Sequence, residues 1–304
     1  VPEEIIPGKP LYYATSMPLP GGGAEGLLVE THEGRPTKIE GNPLHPVNQG
    51  KSSAWAQAMI LGLYDPDRLK HPVFNGPNGP ADATVDDFRV WAAAHYAKFD
   101  ASRGAGLAFV VDRRSSPTRD AAKRAILEKW PEARWVAWDA TDTSRNTAWT
   151  RQVFGRPARE VLDLSKARCV LALDRDFVNT QGEPEPLGLP NARNFAATRR
   201  VTKAADGMSR LYSVESVFSI TGGQADHRIA TSPAGVTAYA AAIGNAVLRA
   251  LGRGPAAREA AAGAVDAKFV EAVAADLAAN GANALLVAGP SQPASVHALC
   301  FAVN

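Results

Sequence analysis

The stretch GLAFVVDRRSSPTRDAAKRAILEKWPEARWVAWD, Gly106 to Asp139, decides the fold class. GLAFVVD is a short apolar run of strand length, SPTRDAAKRAILEKW reads as a helix, and RWVAWD is a second apolar run. Short apolar runs separated by helices of this length imply parallel strands joined by right-handed crossovers. The same alternation extends on both sides. TVDDFRVWAAAHYAKF (Thr84–Phe99) is a helix with Thr84 as its N-cap, an acidic first turn and an apolar stripe through Phe88, Trp91 and Tyr96. TSRNTAWTRQVFG (Thr143–Gly155) is a further helix, and ARCVLALD (Ala167–Asp174), SRLYSVES (Ser209–Ser216) and ALLVAG (Ala284–Gly289) are further strands. The expectation is an α/β fold with a doubly wound, mostly parallel, Rossmann-like sheet over residues 81–304.

Residues 1–80 read differently, as an arm followed by a small β-rich unit. VPEEIIPGKP carries prolines at positions 2, 7 and 10, which favours an extended arm lying on another surface. GLLVETHEGRPTKIEGNP alternates about a turn at His32-Glu33-Gly34 and reads as a β-hairpin. AWAQAMILGLYDPDRLKHP is a helix that ends at Asp65-Pro66. Between hairpin and helix lies a corner, GNPLHPVNQG, in which Gly41 is expected at positive φ. Asn42, held extended by the proline that follows it, is expected to bond neighbouring main chain.

The chain has 304 residues, 45% apolar and 21% charged, the balance of an ordinary globular protein. A net charge of +2 argues against a nucleic-acid partner. No apolar run approaches the roughly 18 residues that a membrane span needs. There are two cysteines, Cys169 and Cys300. An iron–sulfur cluster takes about four thiolates at local spacing, which two distant ones do not supply. Both lie in apolar segments and read as buried free thiols, with a disulfide as the other possibility. The chain starts at Val1 without a leader and stops in SVHALCFAVN without a cap signal, so the natural polypeptide is expected to continue and the α/β domain to be truncated at its C-terminal end.

Ligands of an open parallel sheet bind beyond the carboxyl ends of its strands. Those ends are Asp112-Arg113-Arg114, Asp139-Ala140-Thr141-Asp142, Asp174-Arg175-Asp176, Glu215-Ser216 and Gly289-Pro290-Ser291. No Gly-rich phosphate turn follows the first strand. Arg113 and Arg114 could hold an anion, but pairing with the neighbouring aspartates is the preferred reading. Asp226, His227 and Arg228 in GGQADHRIA (Gly222–Ala230) are a second acid–base candidate, read as loop anchors because no second base lies beside them. Gly21–Gly23 does not open a helix after a strand, His45 and His71 sit in proline corners, and the six histidines are too scattered for a zinc site. No G-x-S-x-G elbow, Walker loop or HExxH is present.

GLLVETHEGRPTKIEGNPLHPVNQG followed by LYDPDRLKHP resembles the N-terminal portion of molybdopterin oxidoreductases of the complex iron–sulfur molybdoenzyme type. NARNFAATRR, GMSRLYSVES and TGGQADHRIATSP narrow the resemblance to the molybdopterin-oxidoreductase-like iron–sulfur subunit of alternative complex III, a bacterial quinol-oxidising complex. The family's cluster cysteines would fall near Tyr12–Thr15 and near Lys51–Ser53, where this chain has none. At 235–238 it reads GVTA, where active relatives often place an aspartate that holds the pterin guanine. The resemblance therefore implies a cofactor-free domain with no catalytic, cofactor-binding or metal residues, and iron–sulfur clusters in a C-terminal part beyond Asn304. It implies a place on the periplasmic side of the inner membrane, without a span of its own. The implied partners are a membrane quinol-binding subunit, a multihaem cytochrome c subunit and a monohaem cytochrome c. The alternatives are a working molybdenum enzyme whose cofactor is held mainly by residues beyond 304, and an α/β anion-binding protein using the Arg113–Arg114 turn.

Overall fold

Glu33 and Gly34 both adopt positive φ, 52° and 80°. This is the mirror-image two-residue turn whose twist suits a hairpin, and it joins the two strands read from the sequence. A preceding strand adds to them, so that β1 (Leu11–Pro18), β2 (Ala24–His32) and β3 (Arg35–Gly41) form an antiparallel sheet with β2 in the middle. Leu27 and Ile39 from this sheet pack against Ala56 and Ile60 of α1 (Ala54–Tyr64). Ser53 caps α1 by accepting from the Ala56 amide at 3.2 Å, and the helix ends at Asp65, ahead of Pro66. The arm is not extended throughout: Gly8 takes φ 78°, and the Lys9 amide bonds the Ile6 carbonyl at 3.0 Å across a turn.

The computed structural model describes residues 5–19, 23–113, 116–140, 145–158, 160–180, 187–258 and 264–304. They fall into two compact units, Val1–Ala140 and Thr141–Asn304. In the first, a hairpin that sequence reading did not register, β4 (Val73–Gly76) and β5 (Gly79–Asp82), follows α1. Next comes α2 (Val85–Tyr96), whose N-terminus is a reciprocal capping box: Thr84 accepts from the Asp87 amide at 3.1 Å, and Asp87 accepts from the Thr84 amide at 2.8 Å. Phe88 and Trp91 of its expected apolar stripe are exposed, and only Tyr96 packs inward. Then β6 (Ala108–Val111), α3 (Pro117–Lys129) and β7 (Arg134–Ala137) make the parallel strand–helix–strand unit read from Gly106–Asp139.

The second unit holds a four-stranded parallel sheet. It contains α4 (Arg145–Phe154), β8 (Cys169–Leu173), α5 (Gly188–Thr198), β9 (Arg210–Glu215), α6 (Ile220–Gly223), β10 (His227–Ala230), α7 (Pro233–Ala250), α8 (Ala267–Asn280), β11 (Ala284–Ala288) and α9 (Ala294–Val303). The strand order is β10-β9-β8-β11. Side chains alternate across β8. Cys169, Leu171 and Leu173 join Ile243, Val247, Val273 and Leu277 of α7 and α8 on one face. Val170 and Ala172 join Leu164, Phe177 and Phe195 on the other. Every residue of β8 is buried, as a parallel strand covered on both sides must be. The α/β class with an antiparallel N-terminal unit is as expected. Two details differ from a single five-stranded sheet: β6 and β7 pair separately from the four-stranded sheet, and β10, taken as loop, is an edge strand.

Candidate functional site

In an open parallel sheet the ligand crevice forms where strand order reverses. β8 has β9 on one side and β11 on the other, so the reversal lies between β8 and β11, and the groups beyond their carboxyl ends define the candidate site. These groups are bonded to one another. Asp174 follows β8 at φ 51°, a conformation that costs a non-glycine residue roughly 1 kcal/mol or more. Its carboxylate accepts from the Ser216 amide at 2.6 Å, from the Ser216 hydroxyl at 3.1 Å and from Gln292 Nε2 at 2.7 Å. One side chain thus staples the ends of β8, β9 and β11. Gly289 closes the reversal point. Its amide donates to the Leu173 carbonyl at 2.8 Å, and a Cβ built on it would lie 1.8 Å from the Asp174 carbonyl oxygen.

The other strand-end charges are similarly engaged. Asp176 accepts from the Thr221 amide at 2.8 Å. Buried Glu215 pairs with Arg228 and accepts from the Ser219 hydroxyl at 2.5 Å. Arg175 turns inward, buried, and donates to Glu160 at 3.0 Å and to the Ala288 carbonyl at 2.8 Å. Beside it lies His297, stacked on Trp149 with centroids 5.7 Å apart. Burial, with the positive charge of Arg175 adding to it, pushes the His297 pKa down to about 4, so the ring is neutral. Burial, reinforced by the Glu160 carboxylate, pushes the Cys300 thiol up to about 12. Among the described residues, His297 Nε2 and Gln292 Oε1 are buried without a hydrogen-bond partner. This arrangement is a poor fit for a pterin dinucleotide. A diphosphate entering here meets the Asp174 and Glu215 carboxylates, while the guanidiniums of Arg175 and Arg228 are already paired.

The second sequence candidate does not assemble. Asp226 is held by Arg199 through two bonds of 2.8 Å and by the Leu211 amide at 2.8 Å, and the Arg199 hydrogen bonds keep its carboxyl below the usual range. His227 stacks on Tyr212, and Arg228 is committed to Glu215. A similar anchor lies at the amino ends of the strands. Asp276 of α8 accepts from Arg210 at 2.6 Å, Tyr212 at 2.9 Å and Cys169 at 3.4 Å. Burial, with the Asp276 carboxylate adding to it, pushes the Cys169 thiol far above its ordinary pKa. Both cysteines are free and buried, as read from their segments. In the first unit the Arg113 amide donates to Asp139 at 3.2 Å and Arg119 pairs with Asp112, while Arg114, Thr141 and Asp142 lie outside the described residues, as do Gly21 and Gly22. His71 faces Asp82 at 3.3 Å on the surface.

The corner Gly41–Gly50 is organised by a residue that sequence reading passed over. Buried Asn48 accepts from the Gly26 amide at 3.0 Å and donates to the Gly26 carbonyl at 2.9 Å and the Lys51 carbonyl at 2.6 Å. Asn42 accepts from the Leu44 amide at 2.9 Å, the local main-chain bond expected of it. Gly41 is not at positive φ, contrary to expectation. Glycine is needed there for proximity, since a Cβ would fall 2.3 Å from the Lys51 carbonyl oxygen. His45 lies against Gly26, where a Cβ would come within 2.4 Å of the ring. Gly41→Ala should therefore lower stability by about 2 kcal/mol, while His45→Gln should cost less than about 1 kcal/mol. Urea unfolding of both variants checks the order, and equal losses would remove the proximity account. Tyr12–Thr15 lie on β1 and Ser53 caps α1; among the described residues no three His, Cys, Asp or Glu side chains converge to hold a metal.

No family model matches the chain. It is 23% identical over 228 residues to the menaquinone reductase molybdopterin-binding-like subunit of Nitratidesulfovibrio vulgaris (strain Hildenborough), a distant relationship covering 74% of this chain and 31% of that protein. The chain thus spans about a third of the length of this curated relative. Acetylene hydratase from Pelobacter acetylenicus superimposes with a TM-score of 0.57 at 13% identity, over 95% of this chain and 41% of that one. The fold is accordingly similar to that of a molybdopterin oxidoreductase. No helix among the described residues is long and apolar enough to cross a membrane.

Proposed function

We propose that this chain is a cofactor-free structural portion of an electron-transfer subunit in a quinone-linked respiratory membrane complex, of the alternative complex III kind, on the periplasmic side of the inner membrane. The observation that carries the reading is the filled reversal point. Ser216 and Gln292 both donate to the Asp174 carboxylate where a cofactor would lie, and Gly289 seats its backbone against Asp174. The relationship to a menaquinone reductase subunit named as molybdopterin-binding-like supports both the quinone link and the retained scaffold. On this reading the hairpin and its Asn48-pinned corner keep their shape for packing, and electrons pass through clusters and haems held elsewhere in the assembly. The partners are a membrane quinol-binding subunit, a multihaem cytochrome c and a monohaem cytochrome c.

Metal and pterin analysis of the purified complex tests the proposal. No molybdenum, tungsten or pterin should accompany this subunit, and anaerobic treatment of residues 1–304 with iron and sulfide should yield no cluster absorbance. Stoichiometric pterin in the complex, or a stoichiometric cluster on these residues, overturns it. His45→Gln should leave quinol oxidation by the assembled complex unchanged.

A further inference from the structure

The parallel pair in the first unit is covered on one face and bare on the other. On the covered face Phe109 of β6 stacks on Trp135 of β7 at 5.8 Å, over Ile126 and Leu127 of α3 and Tyr96 of α2. On the opposite face Val110 and Val136 stand directly across from one another in the ladder. They are 69% and 43% exposed, and Trp138, next on that side, is 62% exposed. A parallel sheet open to water on one face is rare, and two strands alone are marginal. The second unit shows how this polypeptide covers parallel strands, with helices packed on β8 until every residue of it is buried. The bare face of β6–β7 has the same aliphatic character without the helix.

We propose that Val110, Val136 and Trp138 form the seat of an amphipathic helix contributed by the same subunit from polypeptide outside residues 1–304. Length favours this source: the menaquinone reductase subunit and acetylene hydratase are each more than twice as long as the part this chain matches. The rim favours protein over lipid. Arg134 and Glu132 stand exposed at one end of the strands, and exposed Asp112, paired with Arg119, and half-buried Asp139 lie near the other, so both signs of charge border the patch. A bilayer surface would call for cations alone. The inference is independent of whether the second unit carries a cofactor.

Thiol labelling of the complete subunit, purified away from its partners, tests it. Val110→Cys and Val136→Cys should react with a maleimide about tenfold or more slowly than Asp86→Cys, an exposed position on α2. Cys169 and Cys300 are buried and contribute little background, and the label at each introduced cysteine is read from its own proteolytic peptide, so that cysteines beyond residue 304 do not enter the comparison. Circular dichroism confirms that each variant folds. Acrylamide quenching, comparing the unsubstituted subunit with Trp138→Phe, gives a reading that needs no new thiol: the Trp138 emission should be shielded. Labelling at the Asp86→Cys rate, or a freely quenched Trp138, overturns the proposal. Protection that appears only in the assembled complex overturns it too, by assigning the seat to another subunit.

Discussion

Arg175→Met is expected to destabilise the protein by about 3 kcal/mol, because a buried cation with two hydrogen-bond acceptors is lost from the end of a core strand. The guanidinium is buried at the end of β8, donating to Glu160 at 3.0 Å and to the Ala288 carbonyl at 2.8 Å. Methionine roughly replaces the volume and none of the donors. Glu160 then keeps a charge without that partner, and the carbonyl at the end of β11 loses its bond. Arg175 is buried while the Glu160 side chain is 32% exposed, so the stranded carboxylate is partly hydrated and most of the loss comes from the packing and hydrogen bonds of Arg175. Arg175→Met combined with Glu160→Gln should therefore recover only about 1 kcal/mol of the loss. Urea unfolding of the two single variants and the double variant measures this coupling. A loss below about 1 kcal/mol for Arg175→Met would show that water reaches the Arg175 guanidinium as well as Glu160 and that the interior of the site is open.

That test bears on the proposed function, which rests on the groups beyond β8 being tied into the protein. Arg175 follows Asp174, whose side chain holds Ser216 and Gln292, so the first two residues beyond β8 are both tied into the protein. Here two of the three strand ends are bridged by a carboxylate and a carboxamide that lie 118 residues apart.

That separation also explains what sequence reading misses. The Glu33-Gly34 turn, the Thr84 cap and the apolar runs at 108–111, 169–173, 210–215 and 284–288 are local signals, and the structure places each where it was read. Which strands share a sheet is not local. Nothing in Gly106–Asp139 distinguishes a pair standing alone from the centre of a larger sheet until neighbouring strands are placed. β10 has four residues, only half of them even partly buried, so its pattern is too short to separate from a polar loop. Asn48 carries no hydrophobic signal at all. It matters because it is buried opposite Gly26, 22 positions earlier. At Gly41 turn chemistry suggests positive φ, whereas the constraint in the structure is the Lys51 carbonyl folding back against it.

Acidification should weaken the fold through His297 before it affects the paired carboxylates. The ring is buried, stacked on Trp149, and held with a pKa of about 4 by burial and by the adjacent charge of Arg175. In the unfolded chain a histidine titrates near 6.5. Between those values the unfolded state binds a proton that the folded state refuses, so stability falls as pH falls. The slope approaches about 1.4 kcal/mol per pH unit, giving about 3 kcal/mol by pH 4, below which the folded ring also protonates and the loss levels off. Asp226 and Asp276 act in the other window. Their folded pKa values lie below the ordinary carboxylate value, so their contribution is present above roughly pH 4 and lost as pH falls further. His297→Phe keeps an aromatic ring against Trp149 and removes the titration. Unfolding free energies from pH 7 to 4 should decline for the natural protein and stay nearly level for His297→Phe, with both declining together below pH 4. Parallel declines across the whole range would mean that His297 Nε2 is hydrated in solution and that the interior beside Arg175 admits solvent.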